Sequence, residues 1–347
     1  MRVDPQQLGE RLAAGLAPVY LIHGDEPLLV EEAVEAVRVA AAAAGYDERS
    51  RHAVETGFDW GAFRAEAASG SLFASRRLVE LRLPGGRPGE AGGKALVEWA
   101  GDPPPDTLLL VICARLDGAA RKSRWFQALD GAGVQVPCRG LDAARLPAWL
   151  RARMTRRGLA PTPEAVEALA YYTAGNLLAA AQEIDKLALL CPDGRVDLPA
   201  LQASLADSAR FDVYNLADRC LAGEAAGALR VLHRLKAGGT APALVLWALA
   251  NEVHRLQRIG AALDGGAPRP RVFQAERVWS QRQGLVEAAL GRLGAGRRLG
   301  LVRRLAWLDR LLKGRADGDV WLELERLCLA LCGHRPVPLS PATGIIP

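Results

Sequence analysis

The chain has 347 residues, half of them hydrophobic, with a formal net charge of +5 and a sequence pI of about 9.0. That length implies more than one domain, and that apolar share excludes a disordered chain. The small positive excess permits a nucleic-acid partner without requiring one, and no apolar stretch approaches the roughly 20 residues that span a bilayer.

The first 140 residues alternate between strand and helix patterns. PVYLIHG (18–24) reads as a short strand ending in Gly. LLVEEAVEAVRVAAAA (28–43) reads as a helix, with Val30, Val34, Val37 and Ala41 on one stripe. Pro27 suits its first turn. RHAVET (51–56) is the second expected strand and DWGAFRAEAAS (59–69) the next helix. RLVELRL (77–83) is a strand, and GGKALVEWA (92–100) a helix. TLLLVICA (107–114) is apolar throughout, which predicts a central parallel strand. AARKSRWFQAL (119–129) reads as one helix, and VQVPC (134–138) closes the series. This alternation predicts an α/β domain with a parallel sheet.

After Gly140 the strand signal ends. LPAWLRARMTRRG, TPEAVEALAYYTA, NLLAAAQEIDKLALLC and LPALQASLA read as four helices. From Phe211 to His334 further helices are expected, among them 241–263, 271–283, 297–313 and 319–332, with a loop at 264–271. The expected division is an α/β domain over 1–140, a small helical lid-like domain over 141–210 and a C-terminal helical domain over 211–335. The Pro-rich tail 336–347 lacks periodicity and reads as disordered.

The six cysteines sit mostly in apolar runs, as reduced thiols of a cytoplasmic protein do. Cys328, Cys332 and His334 form C-x3-C-x-H without a second pair nearby, so no metal site is expected. The five His residues are scattered without a nucleophile or metal pair beside them. His23 reads as a structural residue at a strand end, and Asp25 and Glu26 as carboxylates at the positive end of a helix.

An α/β core followed by a small helical module is the outline of an AAA+ (RecA-like) ATPase. The phosphate site of that class is a glycine-rich loop ending in Lys and Ser or Thr. Here the first strand continues as Gly24-Asp25-Glu26-Pro27, with no Lys, no Ser or Thr, and two carboxylates that repel phosphate. The strands at 77–83 and 107–114 lack the acidic ends that hold Mg²⁺. Leu178 stands where such ATPases place a sensing Arg. Neither ATP hydrolysis nor any other intrinsic catalysis is expected, and no cofactor is called for.

One stretch remains: SGSLFASRR (69–77) sets Leu72 and Phe73 side by side between small polar residues and two Arg. Adjacent side chains of an extended segment cannot both point inward. With VYLIHGDEPLLVEEA, DWGAF before SLFASRR, WFQAL with VQVPC, GNLLAAAQEIDKLALLCPDG, and RVWSQR with VWLELERLCLALC, it resembles the delta subunit family of the bacterial DNA polymerase III clamp loader. The similarity runs from about residue 1 to 335.

The resemblance implies an AAA+-like domain with a degenerate nucleotide site and a C-terminal helical collar domain. It further implies a hetero-pentamer with gamma/tau and delta prime subunits, part of a DNA polymerase (nucleotidyltransferase) holoenzyme acting on primed DNA. Leu72 and Phe73, with Gly70 and Ser71, match the element that grips the sliding clamp (the beta subunit) so that it opens. Many members carry a large apolar residue where Gly70 stands, so the grip here is expected to rest on two side chains. Arg76 and Arg77 are candidates for steering toward an acidic surface. Arg297, Arg298, Arg303 and Arg304 are candidates for contact with DNA or a partner, against the plainer reading of a solvated helix face. The rival function is a nucleic-acid-binding adaptor of replication or repair without clamp binding. A second rival is an ATPase or kinase with an unusual loop.

Overall fold

A strand that is apolar on both sides is stable only when helices cover both faces of its sheet. The chain places Thr107–Cys113 in that position. In chain order the strands are β1 (Val19–Gly24), β2 (Glu48–Ala53), β3 (Arg77–Leu83), β4 (Thr107–Cys113) and β5 (Val134–Cys138). They pair in parallel in the order β2-β3-β4-β1-β5, with β4 in the middle. The computed structural model describes residues 1–68, 76–142, 144–173, 175–205 and 209–335. Contacts between Cα positions divide the chain into two compact units, residues 1–148 with 175–182, and residues 149–174 with 183–347.

In the first unit, strand alternation sends odd positions to one face and even positions to the other. Val19, Leu21, Val79, Leu81, Leu109 and Val111 pack with Phe63 of α3 (Trp60–Ala68), Leu96 and Trp99 of α4 (Gly89–Gly101), and Phe126 and Leu129 of α6 (Arg124–Ala132). The opposite face meets α2 (Pro27–Ala43), which buries Leu29, Ala33, Val34, Val37 and Ala41. A short helix, α1 (Leu8–Ala13), lies against α2. Glu80 is the one acid on the α2 face of β3. It is 1% exposed, and Arg38 binds it with two hydrogen bonds of 2.8 Å.

Two expected boundaries move. β2 begins at Glu48, three residues earlier than read, because an edge strand alternates half-buried and exposed positions and carries no apolar run. The helix expected over 119–129 is two: α5 (Gly118–Arg121) and α6. Asp117 caps the first by accepting from Ala120 N at 2.7 Å. Ser123 is extended, and its hydroxyl donates to the Ala120 carbonyl, which starts a new helix.

The second unit is helical apart from one parallel pair, β6 (Ala160–Pro161) with β7 (Arg195–Val196), which no hydrophobic pattern announces. Its remaining elements are α7 (Leu146–Arg156) and α9 (Leu177–Leu190), each shared between the units, and α8 (Pro163–Thr173), α10 (Leu198–Leu205), α11 (Ala209–Ala222), α12 (Ala225–Ala237) and α13 (Pro242–Asp264). The helix expected over 271–283 is interrupted. α14 (Arg269–Ala275) ends where Arg277 takes a left-handed φ of 51°, and α15 (Ser280–Arg292) follows. Val278 N closes α14 by donating to Phe273 O at 2.9 Å, a helix ending usually assigned to Gly. α14 also begins inside the loop expected at 264–271. α16 (Ala295–Leu312) buries Leu301, Leu305 and Leu308, and α17 (Val320–Leu331) buries Leu324, Leu327, Cys328 and Leu331 in the same core.

Candidate functional site

In an open parallel sheet, ligands bind beyond the carboxyl ends of neighbouring strands whose connections leave in opposite directions. Here those strands are β1, which leads through α2 to β2, and β4, which leads through α5 and α6 past β1 to β5. Asp25 follows β1 and Arg115 follows β4. They meet across this crevice with Nη1 to Oδ2 at 2.9 Å.

The backbone closes the site more firmly than that pair does. Asp25 N and Glu26 N both donate to the Cys138 carbonyl, at 3.1 and 3.3 Å. Pro27 has no N–H. Three consecutive residues thus offer no free donor to a phosphate. A Cβ on Gly24 would lie 1.6 Å from Cys138 O, so the turn is pressed against β5. Nucleotide does not fit these groups. Asp25 therefore does more than face the start of α2. Glu26 holds the cap position without a side-chain cap bond, and burial raises its pKa. His23 is 2% exposed, edge-on to Phe126 and 3.3 Å from Gln135 Oε1. Burial pushes its pKa down, which leaves it a neutral structural ring, as read from sequence. Leu178, in place of a sensing Arg, is exposed on α9.

The opposite end of the sheet carries the other candidate. α3 returns the chain from the carboxyl end of β2 to the amino end of β3. Gly70, Ser71, Leu72 and Phe73 fall between them, outside the described residues. The start of the flank before them is well bonded. Asp59 accepts from Gly61 N and Ala62 N at 2.8 and 2.9 Å, and Phe63 stacks on Trp99 with ring centres 5.6 Å apart. On the returning flank the two arginines differ. Arg76 is exposed, donates to Ala44 O at 2.7 Å and lies 5.6 Å from the Tyr46 ring centre. Arg77 is only 8% exposed and its guanidinium sits 3.0 Å from Glu48. Arg76 also pairs with Asp106 at 3.4 Å, so of the two only Arg76 is exposed but neither is without a carboxylate.

The α16 arginines divide the same way. Arg297 and Arg303 face solvent. Arg298 is buried, donating to Leu293 O at 2.9 Å and to Asp264 at 2.5 Å. Arg304 is buried against Glu323 at 2.9 Å, and burial lowers its pKa. A helix that reads as one basic face therefore spends two of its four candidate charges inside the fold.

Sequence reasoning missed a buried charged cluster of the second unit. Arg282 of α15 is 3% exposed, 2.6 Å from Asp218 of α11 and 3.2 Å from Glu252 of α13, with its guanidinium 3.9 Å from the ring centre of Tyr171 on α8. Arg255 adds a 2.6 Å contact to Glu252. The only sequence trace was the Arg of RVWSQR, one among 39 arginines.

A parallel sheet whose crevice between β1 and β4 is filled by its own backbone, in a chain continued by helices, defines a class of α/β domains extended by helical ones. A family model for DNA polymerase III, delta subunit, matches residues 20–139. A second, for the C-terminal region of the processivity clamp loader gamma complex of DNA polymerase III, matches 213–338. DNA polymerase III subunit delta of Escherichia coli K12 is 35% identical over 337 residues, 97% of this chain and 98% of that protein. The Haemophilus influenzae protein of the same name is 29% identical over 95% of this chain and 99% of its own length. The Bacillus subtilis DNA clamp loader delta protein shares the fold, with a TM-score of 0.60 and 20% identity over 95% of this chain and all of that one. The chain belongs to the delta subunit family of DNA polymerase III, a clamp loader component. Among the described residues no helix is long and apolar enough to cross a membrane.

Proposed function

We propose that the chain grips the sliding clamp and favours its open form, while neighbouring subunits bind and hydrolyse ATP. The observation that carries this reading is the closed crevice, where Asp25 N and Glu26 N are spent on Cys138 O in a member of a clamp loader family. A loader subunit that cannot take nucleotide contributes binding energy instead. Leu72 and Phe73 supply it. Moving each from water into an apolar pocket is worth about 1.5–3 kcal/mol before association costs. Ser71 and Gly70 belong to the same element, and the exposed guanidinium of Arg76, shared with Asp106, steers it toward an acidic surface.

Opening follows from differential affinity. A subunit that binds the sprung clamp better than the closed one shifts the equilibrium by that difference and no more. The α/β domain over 1–140 and the lid-like helices over 141–210 present the grip. The helices over 211–335 join gamma/tau and delta prime subunits in a collar, within the cytoplasm. Of the four candidate arginines of α16, the exposed Arg297 and Arg303 make the contact with primed DNA or a neighbouring subunit in this reading.

The test measures clamp affinity of the full chain and of the Leu72→Ala/Phe73→Ala variant, with and without Mg-ATP. Expected are a loss of at least a hundredfold in the variant, an unchanged melting temperature, and no response of the isolated chain to ATP. An unchanged affinity in a variant with lowered melting temperature would mean that both side chains belong to the domain's own core, and would overturn the reading.

A further inference from the structure

The first residues of the chain extend the sheet beyond β5. Arg2 bridges Gln135 in parallel, Val3 N donates to Gln135 O, and Gln135 N donates to Met1 O, both at 2.9 Å. This fixes the backbone of Arg2 beside β5. Arg139 leaves the end of β5 directly after Cys138, whose carbonyl is held by two amides of the β1 turn. Both arginines thus stand beside hydrogen-bonded backbone, with their side chains exposed. Between them lies a cavity of about 460 Å³, also walled by Asp4, Pro137, Asp142 and Arg145. That volume is in the range of small-molecule sites, about 300–1,000 Å³.

The charges in this cavity do not cancel. Asp4 accepts from Gln6 N at 3.0 Å and from Arg145 at 3.3 Å. Asp142 accepts from Ala144 N and Arg145 N at 3.0 and 2.9 Å. Arg145 offsets Asp4, and Asp142 keeps its charge while bonded to two amides, so three guanidiniums face two carboxylates and the lining is net positive. Arg2 and Arg139 have no polar partner among the described residues. Two like charges on fixed backbone repel, and a dianion between them would turn repulsion into paired, charge-assisted hydrogen bonds. His23 registers the same field, since Arg139, Arg121 and Arg2 all add to the burial that holds its pKa down.

We propose that this cavity binds a small phosphate-bearing anion between the guanidiniums of Arg2 and Arg139. A doubly charged phosphoryl group matches two guanidinium forks, where a single carboxylate occupies one. The site lies on the β5 side of β1, away from the closed crevice at β4. It does not depend on clamp binding and does not restore a nucleotide-hydrolysing centre.

Inorganic pyrophosphate is the probe, titrated calorimetrically into the full chain at a fixed ionic strength of about 0.15 M, where unspecific screening is constant. One saturable site is expected. Arg2→Gln and Arg139→Gln should each weaken it about tenfold, the size of one lost charge-assisted contact. Arg139→Glu should abolish it, while Arg11→Gln, away from the cavity, leaves it unchanged. Thermal unfolding of each variant checks that it folds. Absence of saturable binding by the parent chain overturns the proposal. Equal binding by the doubly substituted Arg2→Gln/Arg139→Gln chain, or equal weakening by Arg11→Gln, does so too.

Discussion

Replacing Arg282 by Met tests whether its cluster holds four helices of the second unit together. Arg282 is 3% exposed and neutralises two carboxylates. Removing one partner of a fully buried pair costs about 3–5 kcal/mol, because a charge stays behind without compensation. Here Glu252 keeps Arg255 at 2.6 Å and accepts from the Tyr171 hydroxyl at 3.4 Å. Asp218 loses its cation, but its side chain is 23% exposed, so water repays part of the loss. The expected cost is therefore about 2–4 kcal/mol at pH 7.

The pH dependence gives the sharper test. Burial already raises the Asp218 pKa above the ordinary carboxylate value, and Arg282 is the main opposing influence. Without Arg282 the folded-state pKa rises further. A carboxylate whose folded pKa exceeds its unfolded pKa binds more protons when folded, so stability falls as pH rises between the two values. The deficit of Arg282→Met should be largest near pH 7–8 and shrink as pH falls toward about 4. Adding Asp218→Asn should recover much of the loss at pH 7. The assay is calorimetric unfolding of parent and variants across this pH range. A deficit under about 1 kcal/mol at pH 7, or one that grows on acidification, would refute the argument.

Gly24→Ala should cost more than about 4 kcal/mol, since its Cβ would stand 1.6 Å from a backbone carbonyl that no side-chain movement can relieve. A melting temperature within two or so degrees of the parent would contradict that packing. In thiol labelling of the native chain at pH 8, Cys191 should react first, because the other five cysteines are buried and burial pushes Cys113 and Cys138 up to about 12. Two or more fast equivalents would show that the core opens. Asp25→Ala/Arg115→Ala should gain no ATP binding, as read by nucleotide titration of the isolated chain.

What the sequence made legible was periodicity and missing chemistry. The apolar run at 107–114 is the middle strand, and GDEP after the first strand lacks the Lys and the Ser or Thr of a phosphate loop. What it hid were partnerships between distant residues. Arg115 lies 90 positions from Asp25, and nothing local separates Arg77, Arg282, Arg298 and Arg304, each buried beside a carboxylate, from the exposed Arg76, Arg297 and Arg303. The helix breaks at Ser123 and Arg277 were also silent. Neither uses Gly, and Arg277 takes a left-handed conformation that its residue type does not advertise.

The closed crevice also shows which of two visible devices bars nucleotide. The Asp25–Arg115 pair is the obvious one, but its side chains are 43% and 67% exposed. An ion pair so hydrated is worth at most about 1 kcal/mol, less than a nucleotide gains from a full phosphate cradle. The backbone is the stronger bar. To free Asp25 N and Glu26 N, the turn would have to leave the Cys138 carbonyl, and Gly24 is packed too closely against β5 for the strand pair to shift alone. Removing the salt bridge therefore leaves the donors occupied, which is why its loss should gain no ATP binding. The same carbonyl that occupies Asp25 N and Glu26 N directly precedes Arg139, so the bonds that close the crevice also order the wall of the proposed anion site beside β5.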